Sequence, residues 1–403
     1  MNVLFLTLVP VSDIRERGIY TDLMRCFEKN GHQLFIVSPV ERRFKQKGSF
    51  SHDGAVHYIR VKTLNIQKTN LIEKGISTLL IENLFLRKIK EHCIGVRFDL
   101  ILYATPPITF SRIIDYIKKR DQALSYLLLK DIFPQNAVDL GLISRKGFIH
   151  RYFRQKEKKL YQISDVIGCM SGANLEYILK HNPEVAKGKV EVNPNSIEPI
   201  SFKFDDDKFI AIGQRFGIPI DSVLFVYGGN IGKPQGIDFL LDVLTSNNNN
   251  NDIFFLIIGS GTEFQKMKRW FSDNEPSNTL LLNGLHKNDY DELLAACDVG
   301  MIFLDKRFSI PNFPSRLLSY QEFKMPVLAV TDKNTDMGKV ITDNGFGYWV
   351  ESGDLEALNV AVTNLQESKQ HRIIMGEKGN RFLKENYTAD ISYSIIMNHF
   401  KNV

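Results

Sequence analysis

Cysteine is scarce in this chain: four residues, Cys26, Cys93, Cys169 and Cys297, stand far apart among 403. That spacing makes neither a disulfide framework nor a thiolate metal motif, and the cytosol is the expected compartment. No run reaches the roughly 18 apolar residues of a membrane span. The apolar opening, 1–11, has no basic stretch before it and runs into Ser12-Asp-Ile-Arg, so it reads as a first strand and not a signal peptide. The phosphate-binding patterns G-x-G-x-x-G and G-x-x-x-x-G-K-[ST] are not matched. No nucleic-acid-binding motif accompanies the basic residues. With 43% hydrophobic and 24% charged residues, disordered and fibrous classes are excluded. The length exceeds what one core usually serves, which favours two globular domains.

What is present is alternation. Apolar, β-prone runs at 3–8, 33–37, 99–104, 125–129 and 166–170 are separated by helical spacings, one of them 20–29 with Gly31 as its stop. The scheme repeats at 223–227, 253–258, 279–282, 299–304 and 326–330. This predicts an α/β chain of two Rossmann-like, doubly wound domains facing a cleft, with ligands beyond the carboxyl ends of the strands. The stretch Val192-Asn-Pro-Asn-Ser-Ile-Glu-Pro, with two prolines in eight residues, is the expected link. Residues 1–195 then form one domain and 196–387 the other, with a C-terminal helix at about 388–403 expected to pack back on the first. The asparagine-rich 247–251 is a polar loop without visible chemistry.

The most informative segment is Tyr227-Gly-Gly-Asn-Ile-Gly-Lys-Pro-Gln-Gly-Ile-Asp-Phe-Leu-Leu. It reads as a buried strand, a glycine turn at Gly228, Gly229 and Gly232, and a helix whose apolar spacing is carried by Phe239, Leu240 and Leu244. Free N–H groups of a first helical turn attract an anion, and Lys233 adds a full charge. The plain alternative is a loop that only joins strand to helix.

Charge is unevenly spread. Residues 1–195 hold 31 Lys/Arg against 19 Asp/Glu, while 196–403 hold 20 against 27. The surplus concentrates in 145–161, where seven Lys/Arg stand with Phe148, Ile149, Tyr152, Phe153 and Tyr161 against one Glu. A second apolar segment, 64–89, carries Lys68, Lys74, Arg87 and Lys88. Such helices suit an anionic membrane surface, or pack on the sheet with one face in solvent.

Read together, these segments resemble a family-4 glycosyltransferase of the GT-B fold, of the bacterial capsule, O-antigen and exopolysaccharide type. The resemblance rests on Arg17-Gly-Ile-Tyr-Thr-Asp-Leu, Asn30-Gly-His, Lys130-Asp-Ile-Phe-Pro-Gln-Asn-Ala-Val-Asp-Leu-Gly, Ser164-Asp, Met170-Ser and Val192-Asn-Pro-Asn-Ser in the first half. In the second half it rests on 227–236, Ile258-Gly-Ser-Gly-Thr-Glu, Ala295-Ala-Cys-Asp-Val-Gly, and Pro314-Ser-Arg-Leu-Leu-Ser-Tyr ahead of Met325-Pro-Val. It implies a retaining hexosyl transfer from a nucleotide-sugar, UDP-linked, held in the C-terminal domain, to a lipid-linked saccharide acceptor on the N-terminal one. The enzyme would work in surface polysaccharide biosynthesis, peripheral on the inner face of the cell membrane through 145–161. No metal and no cofactor other than the donor substrate are implied.

The same resemblance assigns residues. Gly229, Asn230 and Lys233 are the diphosphate candidates, Gly259 and Gly261 run alongside the donor, and Leu285 with His286 matches the place where the base is held. Many relatives carry two glutamates with seven residues between them before the Pro-Val strand, and here those positions are Pro311 and Ser319. Ser319 is left to meet a ribose hydroxyl, while Asn312, Phe313, Pro314, Ser315 and Arg316 form a turn into a helix whose N–H groups could face phosphate. On the acceptor side, Asp131 follows an apolar strand at the carboxyl edge, where a carboxylate can orient or deprotonate a hydroxyl; its plain alternative is a helix cap. Thr105 and the pair Arg17-Gly18 mark two further cleft loops, and His32 is a structural turn residue. Two other functions stand beside glycosyl transfer: a GT-B nucleotide-sugar epimerase, which would need its own acid/base carboxylates and no acceptor, and a non-catalytic sugar-nucleotide binding protein, which the missing glutamates favour.

Overall fold

The computed structural model describes residues 1–66, 69, 71–201, 206–219, 221–285 and 287–401. It divides into two compact units, Met1–Glu198 with Ala389–Val403, and Pro199–Thr388.

The N-terminal unit runs β1 (Asn2–Leu6), α1 (Ile19–Lys29), β2 (Gln33–Glu41), β3 (Ser49–Asp53), β4 (Val56–Thr63), α2 (Leu71–His92), β5 (Leu100–Ala104), α3 (Ser111–Asp121), β6 (Leu124–Leu129), α4 (Gln135–Asp139), α5 (Phe148–Ile163), β7 (Val166–Cys169), α6 (Gly172–His181) and β8 (Val190–Val192). The strands order as β3-β4-β2-β1-β5-β6-β7-β8, parallel except for the β3–β4 hairpin. Strands covered on both faces must be apolar throughout, which is why β1, β5 and β6 read as unbroken hydrophobic runs. Chain order reverses between β1 and β5, so the ligand-binding edge lies at the carboxyl ends of β1, β5 and β6.

The C-terminal unit runs α7 (Asp206–Phe216), β9 (Val223–Asn230), α8 (Ile237–Ser246), β10 (Ile253–Ser260), α9 (Phe264–Asn274), β11 (Thr279–Leu282), α10 (Lys287–Ala295), β12 (Val299–Phe303), α11 (Arg316–Glu322), β13 (Val327–Thr331), α12 (Met337–Asp343), β14 (Gly347–Glu351), α13 (Leu355–Glu367) and α14 (Lys369–Asn386). Its sheet is parallel throughout, ordered β11-β10-β9-β12-β13-β14, and reverses between β9 and β12. Phe225, Phe255, Met301 and Leu328 of the strands pack with Leu240 and Leu244 of α8 and Leu358 and Val362 of α13.

The last helix, α15 (Ala389–Met397), belongs to the N-terminal unit. Ile396 enters that unit's core, and Tyr393 packs edge-on against Phe27 of α1 at 4.9 Å. Tyr393 also meets His32 Nε2 at 2.9 Å, which gives that buried histidine a structural partner.

The stretch after β8 is firmly held: Asn193, Pro194, Asn195 and Ser196 are buried, and Asn193 is bonded to Tyr126 at 2.9 Å and Ser392 at 2.6 Å. One expectation is corrected: the glycine turn after β9 does not lead straight into a helix. A short 3-10 turn, Lys233–Gln235, and a left-handed Gly236 (φ 56°) intervene before α8. A side chain at Gly236 would begin 3.3 Å from the Leu304 carbonyl oxygen, so crowding and the left-handed backbone both favour glycine there.

Candidate functional site

Within the C-terminal unit, the carboxyl end of β9 faces the switch point, and the backbone there is stripped of side chains for a steric reason. A methyl at Gly228 would stand 2.0 Å from the Tyr290 hydroxyl, and one at Gly259 would stand 1.8 Å from the Gly229 carbonyl oxygen. Gly261 is as tight, 2.1 Å from the Ile231 carbonyl. The ends of β9 and β10 are therefore in backbone contact, and Gly229 and Asn230 remain exposed at the rim.

Arg316, at the start of α11, is brought beside this turn. Its guanidinium lies 4.5 Å from the centre of the Tyr227 ring, and its Nη2 is 3.2 Å from where a Gly229 side chain would begin. Burial raises the pKa of Tyr227, with Arg316 opposing, so at neutral pH the arginine faces a neutral ring. Among the described residues no carboxylate pairs with Arg316, and its Nη1 is buried without a hydrogen-bond partner. A cation without a counter-ion beside a bare backbone turn can accept an anionic ligand through several N–H groups at once. Tyr320 stiffens the arrangement: its hydroxyl accepts from the Gly228 N–H at 3.2 Å and donates to the Met301 carbonyl at 3.0 Å.

Other expected residues are placed differently. Lys233 is exposed on the 3-10 turn, where Gln235 Oε1 instead organises the loop by accepting from Asn230 Nδ2 at 2.7 Å and the Gly232 N–H at 3.2 Å. Asn312 and Phe313 belong to a loop tied to Thr335, whose hydroxyl donates to the Asn312 carbonyl at 2.5 Å. Phe313 packs against Tyr387 with ring centres 6.1 Å apart. Pro314 and Ser319 are half-buried and Ser315 is exposed, its side chain making no cap to α11. Leu285 is half-buried in the loop before α10, and His286 lies outside the described residues. Beyond β13, Asp332 is buried; its Oδ1 accepts from the N–H groups of Asn334 and Thr335, and burial pushes its pKa up to about 6.

In the N-terminal unit, Asp131 stands just past β6, half-buried. The Thr105 hydroxyl, past β5, accepts from the Lys130 and Asp131 N–H groups at 3.0 and 3.2 Å and lies 3.1 Å from the Asp131 carbonyl. Asn136 Nδ2 donates to both Asp131 carboxylate oxygens, at 2.8 and 2.9 Å. Helix α4 is capped at Pro134, three residues after Asp131. Gly18 is extended (φ 171°) at the start of α1, and its N–H donates to Asp22 at 2.9 Å. Arg17 precedes it, half-buried. Tyr290 carries no signal in the sequence because its place depends on contact with distant Gly228, while Gln235 and Asn136 stand within the quoted motifs and only their side-chain geometry assigns them a role.

The basic helix α5 presents its charges unevenly. Arg154 pairs with the buried Glu157 at 2.5 Å and reaches Asn182 at 2.7 Å, while Lys158 pairs with Glu184 at 3.0 Å. The cations at 145, 146, 151 and 159 are exposed, and so are Phe148 (77%), Ile149 (57%) and, before the helix, Leu142. On α2, Ile76, Leu79 and Leu80 are exposed; Lys68 and the side chain of Lys74 lie outside the described residues. No described helix is long and apolar enough to cross a membrane.

Comparison with known proteins bears on the family and the fold. Residues 210–382 match the family described as glycosyl transferases group 1. The chain is 23% identical, over 81% of its length and 79% of the relative's, to a probable glycosyltransferase, WbjE, of Pseudomonas aeruginosa. Its fold is that of sucrose-phosphate synthase from Thermosynechococcus elongatus (TM-score 0.75, 13% identity, 100% and 99% of the two chains). It is also that of Anabaena HepE in complex with UDP-glucose (TM-score 0.71, 12% identity, all of both chains).

Proposed function

We propose, from the premise that residues 210–382 carry the group 1 glycosyltransferase domain of a GT-B chain, that this protein moves a hexosyl group from a UDP-sugar to a lipid-linked saccharide acceptor. The observation that carries the donor half is Arg316, a cation with no carboxylate partner among the described residues, laid along the exposed Gly229 turn. The bond from the anomeric carbon to the diphosphate oxygen breaks as the bond to the acceptor hydroxyl forms. The negative charge that grows on the leaving diphosphate is met by Arg316 and the turn's N–H groups. HepE, of the same fold, is seen with UDP-glucose, which supports a UDP-linked donor.

The acceptor half rests on Asp131, at the carboxyl edge of the N-terminal sheet, which orients the acceptor hydroxyl and takes its proton. The relative WbjE, a probable glycosyltransferase of Pseudomonas aeruginosa, supports a bacterial sugar transfer, which we assign to surface polysaccharide with retention of anomeric configuration, as in the family-4 enzymes that the sequence resembles. The exposed cations and aromatics of 142–151 support peripheral attachment to the anionic cytoplasmic face of the membrane, where a lipid-linked acceptor is found.

The test is UDP binding by calorimetry. Arg316→Ala should weaken UDP by roughly ten- to hundredfold, since a charge-assisted contact contributes about 1.5–3 kcal/mol. Lys233→Ala, on the exposed turn, should cost less. Unchanged affinity in Arg316→Ala removes the diphosphate assignment.

A further inference from the structure

We infer that Asn136 is a positioning residue that holds Asp131 ionised and aimed, so that the acceptor-side carboxylate works together with its amide clamp. This rests on the reading of Asp131 given above and adds a residue to it. Three observations carry it.

The first is geometric. Both Asp131 oxygens receive a proton-donating contact from one nitrogen, Asn136 Nδ2, at 2.8 and 2.9 Å. The Asp131 backbone is fixed separately by the Thr105 hydroxyl. Main chain and carboxylate are thus restrained by different elements, the end of β5 and the first turn of α4, as an aimed reactive group requires.

The second concerns cost. Asn136 Oδ1 is buried and makes no hydrogen bond. An orphaned buried acceptor is unfavourable by about 1–3 kcal/mol. An apolar side chain of the same shape would avoid that cost, so this amide is poorly explained by packing. The contact it makes with Asp131 is what the position obtains in return.

The third is electrostatic. Two of the groups that face Asp131 disfavour its charge. Burial raises the pKa of Glu157 on α5, and the charge of Asp131 raises it further; the two carboxylates therefore repel. Both Glu157 oxygens are already engaged, by Arg154 at 2.5 Å and Tyr161 at 2.9 Å. Burial likewise raises the pKa of Tyr20 on α1, with Asp131 adding to the shift. The adjacent Lys130 directs its ammonium elsewhere, to the Asn193 carbonyl at 3.3 Å. Against Glu157, the amide of Asn136 supplies donors that favour the ionised form, so losing it must raise the Asp131 pKa.

The experiment uses the full chain with carbon-13 in the aspartate carboxyl groups. The Asp131 resonance is the one absent from Asp131→Asn, and its titration is followed by NMR in wild type and Asn136→Leu. We expect the midpoint to rise by roughly one pH unit or more in Asn136→Leu. Once a donor and acceptor pair is in hand, the acid limb of transfer should move up by the same amount, with activity recovering at alkaline pH and UDP affinity unchanged. Should Asn136→Leu fail to fold, Asn136→Asp keeps the shape, places a like charge on Asp131, and should shift the midpoint the same way. An unmoved midpoint overturns the inference. A moved midpoint with an unmoved acid limb overturns the link to transfer. Full transfer by Asp131→Asn removes the reading of Asp131 itself, and is distinguishable because the NMR shift would persist.

Discussion

Lys130 shows how one residue can be legible in type and not in role. It stands directly before Asp131 in the sequence, but its surroundings are set by distant segments. Its ammonium meets one carbonyl, that of Asn193, and burial pushes its pKa down to about 7. In the unfolded chain the ordinary value is 10.5. Below pH 7 both states carry the proton, and the folded state bears the full cost of enclosing a charge. Between 7 and 10.5 the unfolded chain binds more protons, so stability rises with pH and that cost is relieved. Lys130→Met should therefore stabilise the N-terminal unit, on the order of 1–3 kcal/mol near pH 6, with the gain shrinking toward pH 10. Chemical denaturation at the two pH values measures this, and a gain independent of pH would contradict the assignment.

For single elements, periodicity located helices well and told less about which face is free. Helix α5 was visible as a basic, aromatic-rich segment, yet Arg154 and Lys158 turn out to be tied to Glu157 and Glu184. Arg151 and Lys159 stay exposed on it and Arg145 and Lys146 before it, while its exposed apolar residues, Phe148 and Ile149, sit in its first turn. Two outcomes follow for vesicle co-sedimentation and thermal melting. Replacing Arg145 and Lys146 with Gln and Phe148 with Ser should release the protein from anionic vesicles at low salt with little change in stability, each cation contributing on the order of 1 kcal/mol. Arg154→Gln should leave attachment intact and instead lower stability by about 1–3 kcal/mol, because Glu157 would be left buried and without its cation. The reverse pattern would mean that the long face of α5 meets the membrane. The turn after β9 teaches the same lesson. Its glycines were legible, but the 3-10 turn and the left-handed Gly236 packed on Leu304 and Asp305 were not.

At the scale of the whole molecule, the chain leaves its N-terminal unit after Glu198 and re-enters it at Ala389. Ile396 and Tyr393 then complete a core begun at Val3. Ending the chain at Thr388 should expose Phe27 and His32, lower the melting temperature of the N-terminal unit by several degrees, and leave UDP binding by the C-terminal unit near its full-length value. Calorimetric melting with and without UDP separates the two effects. Unchanged melting would show that α15 contributes nothing to that core.

The sequence by itself determined the α/β class, the repeated strand-and-helix scheme and the glycine turn after β9. These are local: a strand buried on both faces must be apolar along its length, and glycine is required where backbones touch. Tertiary structure alone decided that Arg316 lies along Gly229, that Thr105 meets Asp131, and that Lys158 turns to Glu184. Such contacts join residues from separate elements, and side-chain periodicity of two or 3.6 residues carries no information about which distant element will pack against which.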